Sequence, residues 1–180
     1  MSVELSIPDI VQRACEGDAE AFRNLVESHW LPLVRFARSI VGESDAEDVV
    51  QDSFVVAWKK LKALENPESF HPWMMRIVAR RCFRRAGVLG RFLPWIANTG
   101  SPEPSVPAAT GEFEVERILS LLPARQRAVM HLTVIEGMSD NEIGRALGIR
   151  AASVRSHRRR ARQILASLLD RPRNRAEEYA

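Results

Sequence analysis

The chain has 180 residues, of which 46% are hydrophobic and 27% are charged, proportions typical of a folded protein of one or two domains. Its longest uncharged stretch, Phe92–Pro102, is too short to span a membrane, and the N-terminus lacks the basic and apolar regions of a secretory signal. The two cysteines, Cys15 and Cys82, argue against a disulfide framework and a cysteine zinc site, so we expect a cytoplasmic protein without a metal or cofactor.

The formal net charge of +3 is divided unevenly along the chain. Residues 1–66 carry 12 acidic and 7 basic side chains, whereas residues 67–91 carry 1 acidic and 6 basic ones. Residues 92–123 carry 4 acidic and 1 basic side chain, and residues 124–180 carry 6 acidic and 12 basic ones. This alternation predicts two surfaces for a polyanion and a different partner for the acidic part. Arginine dominates the basic residues and suits phosphate or guanine contacts, although genomic base composition could produce the same bias.

Apolar residues recur every three or four positions on both sides of a central Pro- and Gly-rich segment, which predicts an all-α fold. The first helix is expected over Ser6–Glu16, and the second over Asp18–Gly42 with a kink at Pro32. Beyond a third helix, Asn66-Pro67 forms a turn and a fourth helix occupies about Pro72–Arg85. These four helices are expected to form one small lobe.

The third helix is acidic on one face and is expected to begin at a capping box of Ser44 and Glu47. Seven residues define this face and its boundary: Asp45, Glu47, Asp48, Gln51, Asp52, Phe54 and Trp58. Paired carboxylates can serve acid–base catalysis or bind a metal, but both need a concave site. Here the carboxylates are expected on a solvent face at the positive end of a helix, where acids are favourable in any case. We therefore favour a docking surface for a basic partner over catalysis, metal binding or a plain solvated face.

The fourth helix carries arginines on one face and apolar residues opposite them. The basic side chains are Arg76, Arg80, Arg81, Arg84 and Arg85. A cationic amphipathic helix can also lie on a membrane surface. However, the apolar face of this helix is short and is needed to pack the first lobe, which favours a polyanion-binding face on a folded domain.

Residues 87–111 contain four glycines and four prolines and show no helical period, so they are predicted to form a flexible linker. Within this segment, the apolar cluster Phe92–Ile96 either extends the first lobe or docks on another protein, and the sequence does not decide between these roles. The linker predicts two lobes joined by a tether.

The second lobe is predicted to contain the helices Glu112–Leu121, Ala124–Glu136, Asp140–Leu147 and Ala151–Leu169. Ser139 and Glu142 form a capping box before the third of these, and Gly148 supplies the left-handed residue that ends it. This pattern predicts a helix-turn-helix DNA-binding unit. Its second helix is strongly basic and carries Arg150, Arg155, Arg158, Arg159, Arg160 and Arg162.

Motifs in both lobes point to one family. The first lobe contains Ala21-Phe22, Asp45–Trp58 and Trp73–Ile77. The second contains Leu119–Val129, Glu136–Ser139 and the helix-turn-helix as far as Arg162. With these motifs in this order across one linker, the chain from Asp18 to Leu169 resembles bacterial RNA polymerase sigma factors of the extracytoplasmic-function (ECF) group. Arg158 departs from the family pattern, because relatives usually have a leucine there, and its side chain is expected to face partly inward.

The resemblance implies a region 2-like helical domain over residues 1–86, a linker over 87–111, a region 4-like helix-turn-helix domain over 112–170 and a polar tail over 171–180. It implies a promoter-specificity factor, not an enzyme, that binds core RNA polymerase through the β′ clamp helices and the β subunit. The factor would recognise the −35 and −10 elements of promoter DNA and help to melt the DNA. The resemblance also implies an anti-sigma factor, which could hold the chain at a membrane into which the chain itself does not insert.

The same resemblance assigns three sets of site residues. The core-binding set is the acidic face, Asp45, Glu47, Asp48, Gln51, Asp52, Phe54 and Trp58. The −10 set is Asn66, Phe70, His71, Arg76, Arg80, Arg81 and Arg84. The −35 set is Arg150, Ser153, Arg155, Ser156, Arg158, Arg159 and Arg160. Phe70 and His71 are both candidates to stack on a base extruded from the separated strand, and the choice between them stays open.

Two other functions stay open at this point. An ordinary repressor or activator would also use the helix-turn-helix, but it gives the acidic third helix no role. A sigma mimic that only titrates an inhibitor would not need arginines on both DNA-facing helices. An enzyme is the least favoured class, since the chain has no phosphate-binding glycine loop or nucleophile motif. The four histidines are interpreted as packing or surface residues: His29, His71, His131 and His157.

Overall fold

The computed structural model describes residues 6–92 and 111–169, and the regular structure in both ranges is entirely helical, which confirms the all-α prediction. The helices of the first lobe are α1 Ile7–Cys15, α2 Ala19–Val41, α3 Glu43–Lys60 and α4 Phe70–Phe92, with 3-10 helices Leu61–Ala63 and Pro67–Ser69 between α3 and α4. Those of the second lobe are α5 Gly111–Ser120, α6 Ala124–Val134, α7 Asp140–Leu147 and α8 Ala151–Leu169. Within the described ranges, no helix is long and apolar enough to cross a membrane.

The starts of α1 and α2 follow from their capping residues. The Ser6 side chain accepts a hydrogen bond from the Asp9 amide, and the Asp9 carboxylate accepts one from the Ser6 amide in return. At α2, one oxygen of Asp18 accepts from the amides of Glu20 and Ala21, both at 3.0 Å. These bonds satisfy amides that have no partner inside the first helical turn.

The predicted capping box at the start of α3 is wrong. The helix begins at Glu43, directly after Gly42, and no side chain caps it. Gly42 has a φ of +87°, a conformation that glycine adopts without strain, so the chain turns from α2 into α3 without a connecting loop. Ser44 is therefore already inside the first turn and cannot act as the cap.

Helix α4 is longer than predicted at both ends. It begins at Phe70, two residues before Pro72, which falls in the first turn, where a missing amide breaks no helical hydrogen bond. It continues through Gly87 to Phe92, so residues 87–92 are helical although the sequence placed them in the linker. The rest of the predicted linker, including Leu93–Ile96, lies outside the described residues.

The two lobes are in contact with each other. Helix α4 packs against α7, and α2 packs against α6. Buried apolar side chains of both lobes belong to one continuous core, which joins Phe36 and Met74 of the first lobe to Leu132 and Ile143 of the second. The sequence predicted two tethered lobes, and the structure adds that they share an interface.

Candidate polymerase and DNA interfaces

The acidic face of α3 divides into paired and unpaired carboxylates. Asp45 Oδ1 lies 2.6 Å from Arg85 Nη2, and Asp52 Oδ2 lies 2.9 Å from Arg81 Nη1, so both join α3 to α4. The Asp45 side chain is only 18% exposed, contrary to the predicted solvent-facing position. Glu47 and Asp48 are exposed and form no ion pair with any described residue. These two carboxylates are therefore the ones available to a basic partner.

An apolar groove runs beside this face between α2 and α3. Its volume is about 430 Å³, and aromatic pairs form its wall: Trp30 stacks on Phe54 with ring centroids 6.2 Å apart, and Phe22 meets Trp58 at 4.8 Å. Gln51 also lines the groove, and Trp58 remains 41% exposed. An apolar centre with a charged rim is the anatomy of a protein–protein interface. The sequence did not predict this groove, because its walls are formed by side chains from two different helices.

The loop before α4 separates the two candidates for base stacking. Phe70 is 1% exposed, and its ring packs against His29 at 5.0 Å and Trp73 at 6.0 Å, so it belongs to the core of the first lobe. The His71 side chain is 32% exposed. Asn66 is exposed, and its side-chain oxygen accepts a hydrogen bond from the Glu68 amide at 3.0 Å. In this arrangement only His71 of the two rings reaches the surface.

The arginines predicted to bind the −10 element do not share one environment. Arg80 and Arg84 are exposed on α4 without an ion pair to any described residue, whereas Arg81 pairs with Asp52. Arg76 lines a cleft of about 450 Å³ between the lobes, together with Asn66 and Trp73 from the first lobe. Glu142 and Arg145 of α7 close the other side of this cleft. Part of the predicted −10 surface therefore faces the helix-turn-helix.

The helix-turn-helix forms where the sequence predicted it. Ser139 donates to Glu142 from both its amide and its hydroxyl, at 2.8 Å and 2.6 Å, and the Glu142 amide donates back to the Ser139 hydroxyl at 3.4 Å. The bonds from Ser139 lower the pKa of Glu142. Gly148 adopts φ +69° and ψ +34°, and the Ile149 amide then donates to the Gly144 carbonyl at 2.9 Å. The turn thus sets α8 against α7.

Helix α8 places its arginines unequally. Its buried face is formed by Val154 and Ala161, both 0% exposed. Four arginines are exposed without an ion pair to any described residue: Arg150, directly before α8, and Arg159, Arg160 and Arg162 within it. Ser153 and Ser156 are half-buried between them. Arg155 and Arg158 both lie near the carboxylate of Asp140 at the start of α7.

A cluster of histidines around the mostly buried carboxylate of Glu136 at the lobe interface was not predicted. Glu136, which follows α6, accepts a hydrogen bond from His71 of the first lobe at 2.9 Å, and its other oxygen lies 3.7 Å from His131. His131 is 1% exposed, packs edge-on against Phe36, and has no hydrogen-bond partner on either ring nitrogen among the described residues. Burial raises the pKa of Glu136, but the two histidines outweigh that effect and lower it to about 2. No cluster of ligating side chains within 6–92 and 111–169 could hold a metal ion.

A second polar contact crosses the same interface. The guanidinium of Arg127 on α6 donates to the Ser39 carbonyl on α2 at 2.7 Å and twice to the Leu122 carbonyl, at 3.0 Å and 2.8 Å. Burial lowers the pKa of Arg127. The residues joined across the interface are 65 and 88 positions apart in the chain, so no local pattern could reveal these contacts.

Comparison with protein families accounts for both lobes. The model described as sigma-70 region 2 matches residues 25–88, and the model described as sigma-70, region 4 matches residues 112–165. The RNA polymerase sigma factor NccH of Alcaligenes xylosoxydans xylosoxydans is 35% identical over 172 residues, covering 89% of this chain and 92% of the relative. CnrH, an RNA polymerase sigma factor of Cupriavidus metallidurans, is 33% identical over 180 residues, covering 89% and 93%.

Solved structures have the same fold. The structure of CnrH in complex with the cytosolic domain of CnrY superposes with a TM-score of 0.67 and 30% identity, covering 91% of this chain and 97% of that one. The sigma factor RpoE in complex with the anti-sigma factor NepR from Bartonella quintana gives a TM-score of 0.63 at 24% identity, covering 84% and 99%. The likeness extends over both lobes in each case.

Proposed function

Because this chain belongs to the sigma-70 family of RNA polymerase sigma factors, we propose a division of tasks among its surfaces. The chain is a promoter-recognising factor that directs transcription initiation. Its regions 2 and 4 imply binding to core RNA polymerase and to promoter DNA. The proposal concerns which residues make each contact.

The acidic face of α3 and the adjoining groove bind the β′ clamp helices of core polymerase. Exposed Glu47 and Asp48 attract basic side chains, while Gln51 and Trp58 offer polar and apolar contacts beside them. The observation that carries the proposal is that two carboxylates, which form no ion pair with a described residue, lie beside an open aromatic groove. Asp45 and Asp52 contribute less directly, because α4 already pairs with them.

The two basic surfaces bind the two promoter elements. Asn66, His71 and the exposed arginines of α4 contact the −10 element, where a base is extruded and its unstacking costs a few kcal/mol. Helix α8 lies in the major groove of the −35 element, as the second helix of such units does. Its exposed arginines supply phosphate and guanine contacts.

The protein acts in the cytoplasm as a binding factor and not as an enzyme, since nucleotide joining belongs to the polymerase. An anti-sigma protein is its expected inhibitor. The similarity to CnrH, whose structure was solved in complex with the cytosolic domain of CnrY, supports that expectation. Such an inhibitor could hold the chain at a membrane.

Charge reversal at Asp48 tests the polymerase surface. Purified full-length protein is titrated against core RNA polymerase, and transcripts started by the resulting holoenzyme on genomic DNA are mapped by their 5′ ends. We expect Asp48→Arg to weaken core binding at least tenfold and to abolish the mapped transcripts, because it places a cation against a basic partner.

Glu27→Arg is the matched control, since Glu27 is an exposed carboxylate on α2 that does not line the groove. It should bind core polymerase like the wild type. Equal binding by Asp48→Arg and the wild type would refute the assignment of this surface, and the absence of start sites with wild-type protein would refute promoter-directed initiation.

A further inference from the structure

One carboxylate in the helix-turn-helix faces two arginines of the recognition helix α8. Asp140, the first residue of α7, has Oδ1 at 2.8 Å from Arg158 Nη2 and Oδ2 at 3.6 Å from Arg155 Nη1. Arg155 is 61% exposed, whereas Arg158 is 23% exposed and Asp140 22%. Arg158 is therefore drawn toward α7, while Arg155 remains largely in solvent.

The position of Arg158 on α8 explains this withdrawal. It lies four residues after Val154, which is 0% exposed in the core, so its side chain leaves the helix beside the α7–α8 contact. An apolar side chain there would pack inward. The guanidinium instead turns to the nearest carboxylate, which lies in the first turn of α7 and is favoured there by the helix dipole.

Asp140 is the only carboxylate of α7 that is available to pair with Arg158. The only other carboxylate of α7 is Glu142, which accepts hydrogen bonds from Ser139. The remaining arginines of α8 form no ion pair with a described residue. Among the arginines of α8, Arg158 is therefore the one that Asp140 pairs with most closely.

We propose that Asp140 is a positioning residue that holds Arg158 on the protein side of the helix-turn-helix, so that Arg158 braces α7 against α8 and does not contact DNA phosphate. The charge that α8 presents to the −35 element then comes from its other arginines. This inference rests on the proposed −35 role of α8.

Salt dependence separates a braced arginine from a phosphate-binding one. Each protein cation that neutralises a phosphate contributes about 0.9 to the slope of log affinity against log salt concentration. The probe is a promoter fragment around a start site mapped with wild-type holoenzyme, and holoenzymes of all variants are compared between 50 and 200 mM salt. Polymerase contributions to the slope are common to every variant and cancel in the differences.

We expect Arg158→Leu to leave the slope unchanged, whereas Arg160→Leu, at an exposed arginine without a described partner, makes it shallower by about 0.9. Asp140→Asn should make the slope steeper by about 0.9, because it releases Arg158 to the DNA. The double variant Asp140→Asn/Arg158→Leu should return to the wild-type slope. If Asp140 only stabilised the fold, Asp140→Asn would change the affinity for the promoter without making the slope steeper.

Two results would overturn the inference: a loss of about 0.9 in the slope of Arg158→Leu, or an unchanged slope in Asp140→Asn. Circular dichroism of each variant verifies that the helices remain. If wild-type holoenzyme starts transcripts but its promoter affinity does not change on Arg160→Leu, the proposed −35 role of α8 fails, and the inference fails with it.

Discussion

Gly148 shows how much of the helix-turn-helix depends on a single backbone conformation. Its φ of +69° lies in the left-handed region, which costs a residue with a Cβ roughly 1–2 kcal/mol. Space is not the constraint, since a Cβ at this position would meet no atom within 4 Å. The conformation ends α7 and lets Ile149 return to the core side of the motif.

We predict that Gly148→Ala lowers the free energy of unfolding by about 1 kcal/mol, because alanine resists the left-handed conformation. Gly87→Ala is the matched control: Gly87 lies inside α4 with no positive φ and with open space at its Cβ position. That change should leave stability equal or raise it by up to about 1 kcal/mol, since alanine favours helix. Urea unfolding measures both, and equal effects of the two substitutions would contradict the prediction.

At the scale of single elements, α3 carries two kinds of carboxylate three residues apart. Asp45 receives two bonds from Arg85 of α4, at 2.6 Å and 3.3 Å, and is mostly buried. Asp48, one turn further along, is exposed and has no ion-pair partner among the described residues. The first carboxylate joins two helices of the fold, and the second is available to another molecule.

We predict that Asp45→Asn costs about 0.5–1 kcal/mol of unfolding free energy, the range for a partly exposed ion pair. Asp48→Asn should change stability by less than about 0.5 kcal/mol but weaken binding to core polymerase. Urea denaturation and core-binding titrations on the same two preparations give the comparison. The distinction between these two carboxylates would be incorrect if Asp45→Asn left stability unchanged and weakened polymerase binding more than Asp48→Asn does.

The elements also show where sequence patterns are informative. Helices α7 and α8 have the predicted bounds, because the Ser139 capping box and Gly148 are local signals that the fold preserves. The start of α3 was missed because Gly42 breaks the helix without a loop, and the end of α4 was missed because its glycines remain helical. Arg158 faces partly inward, as expected: its side chain is 23% exposed and its guanidinium lies beside Asp140.

At the scale of the whole molecule, the Glu136 carboxylate links the lobes from a buried position. Its side chain is 9% exposed between His71 and His131. The sequence offered no signal for this cluster, because the three residues come from separate helices and loops and only the packing of the lobes brings them together. The histidines were interpreted singly, and three of the four gather near one carboxylate: His29 also lies 5.6 Å from His71, ring centroid to ring centroid.

We predict that stability depends on pH through this carboxylate. The pKa of Glu136 is about 2 in the folded protein against an ordinary value of 4.5, so the folded state holds its proton less tightly than the unfolded state. Its contribution is therefore complete above about pH 4.5 and is lost as the pH falls toward 2. The difference corresponds to at most roughly 3 kcal/mol, since His131 lies 3.7 Å from the carboxylate and forms no hydrogen bond with it.

Glu136→Gln removes the titrating group. The unfolding free energies of wild type and variant, measured between pH 5 and pH 2, should converge as the pH falls. Parallel curves over that interval would show that Glu136 does not contribute in this way. His29→Phe is a useful comparison, since His29 packs on the same ring cluster without contacting Glu136 by a hydrogen bond.

The contact between α4 and α7 has a consequence for promoter search. The −35 and −10 elements are, by their names, about 25 base pairs apart, roughly 85 Å along B-DNA at 3.4 Å per base pair, so we expect this contact to open before the two proposed DNA-binding surfaces engage both elements. Apparent promoter affinity is then the intrinsic affinity multiplied by the fraction of molecules whose lobes have separated. We therefore expect a substitution that loosens this interface to lower the free energy of unfolding and, at the same time, to raise the apparent affinity for the promoter.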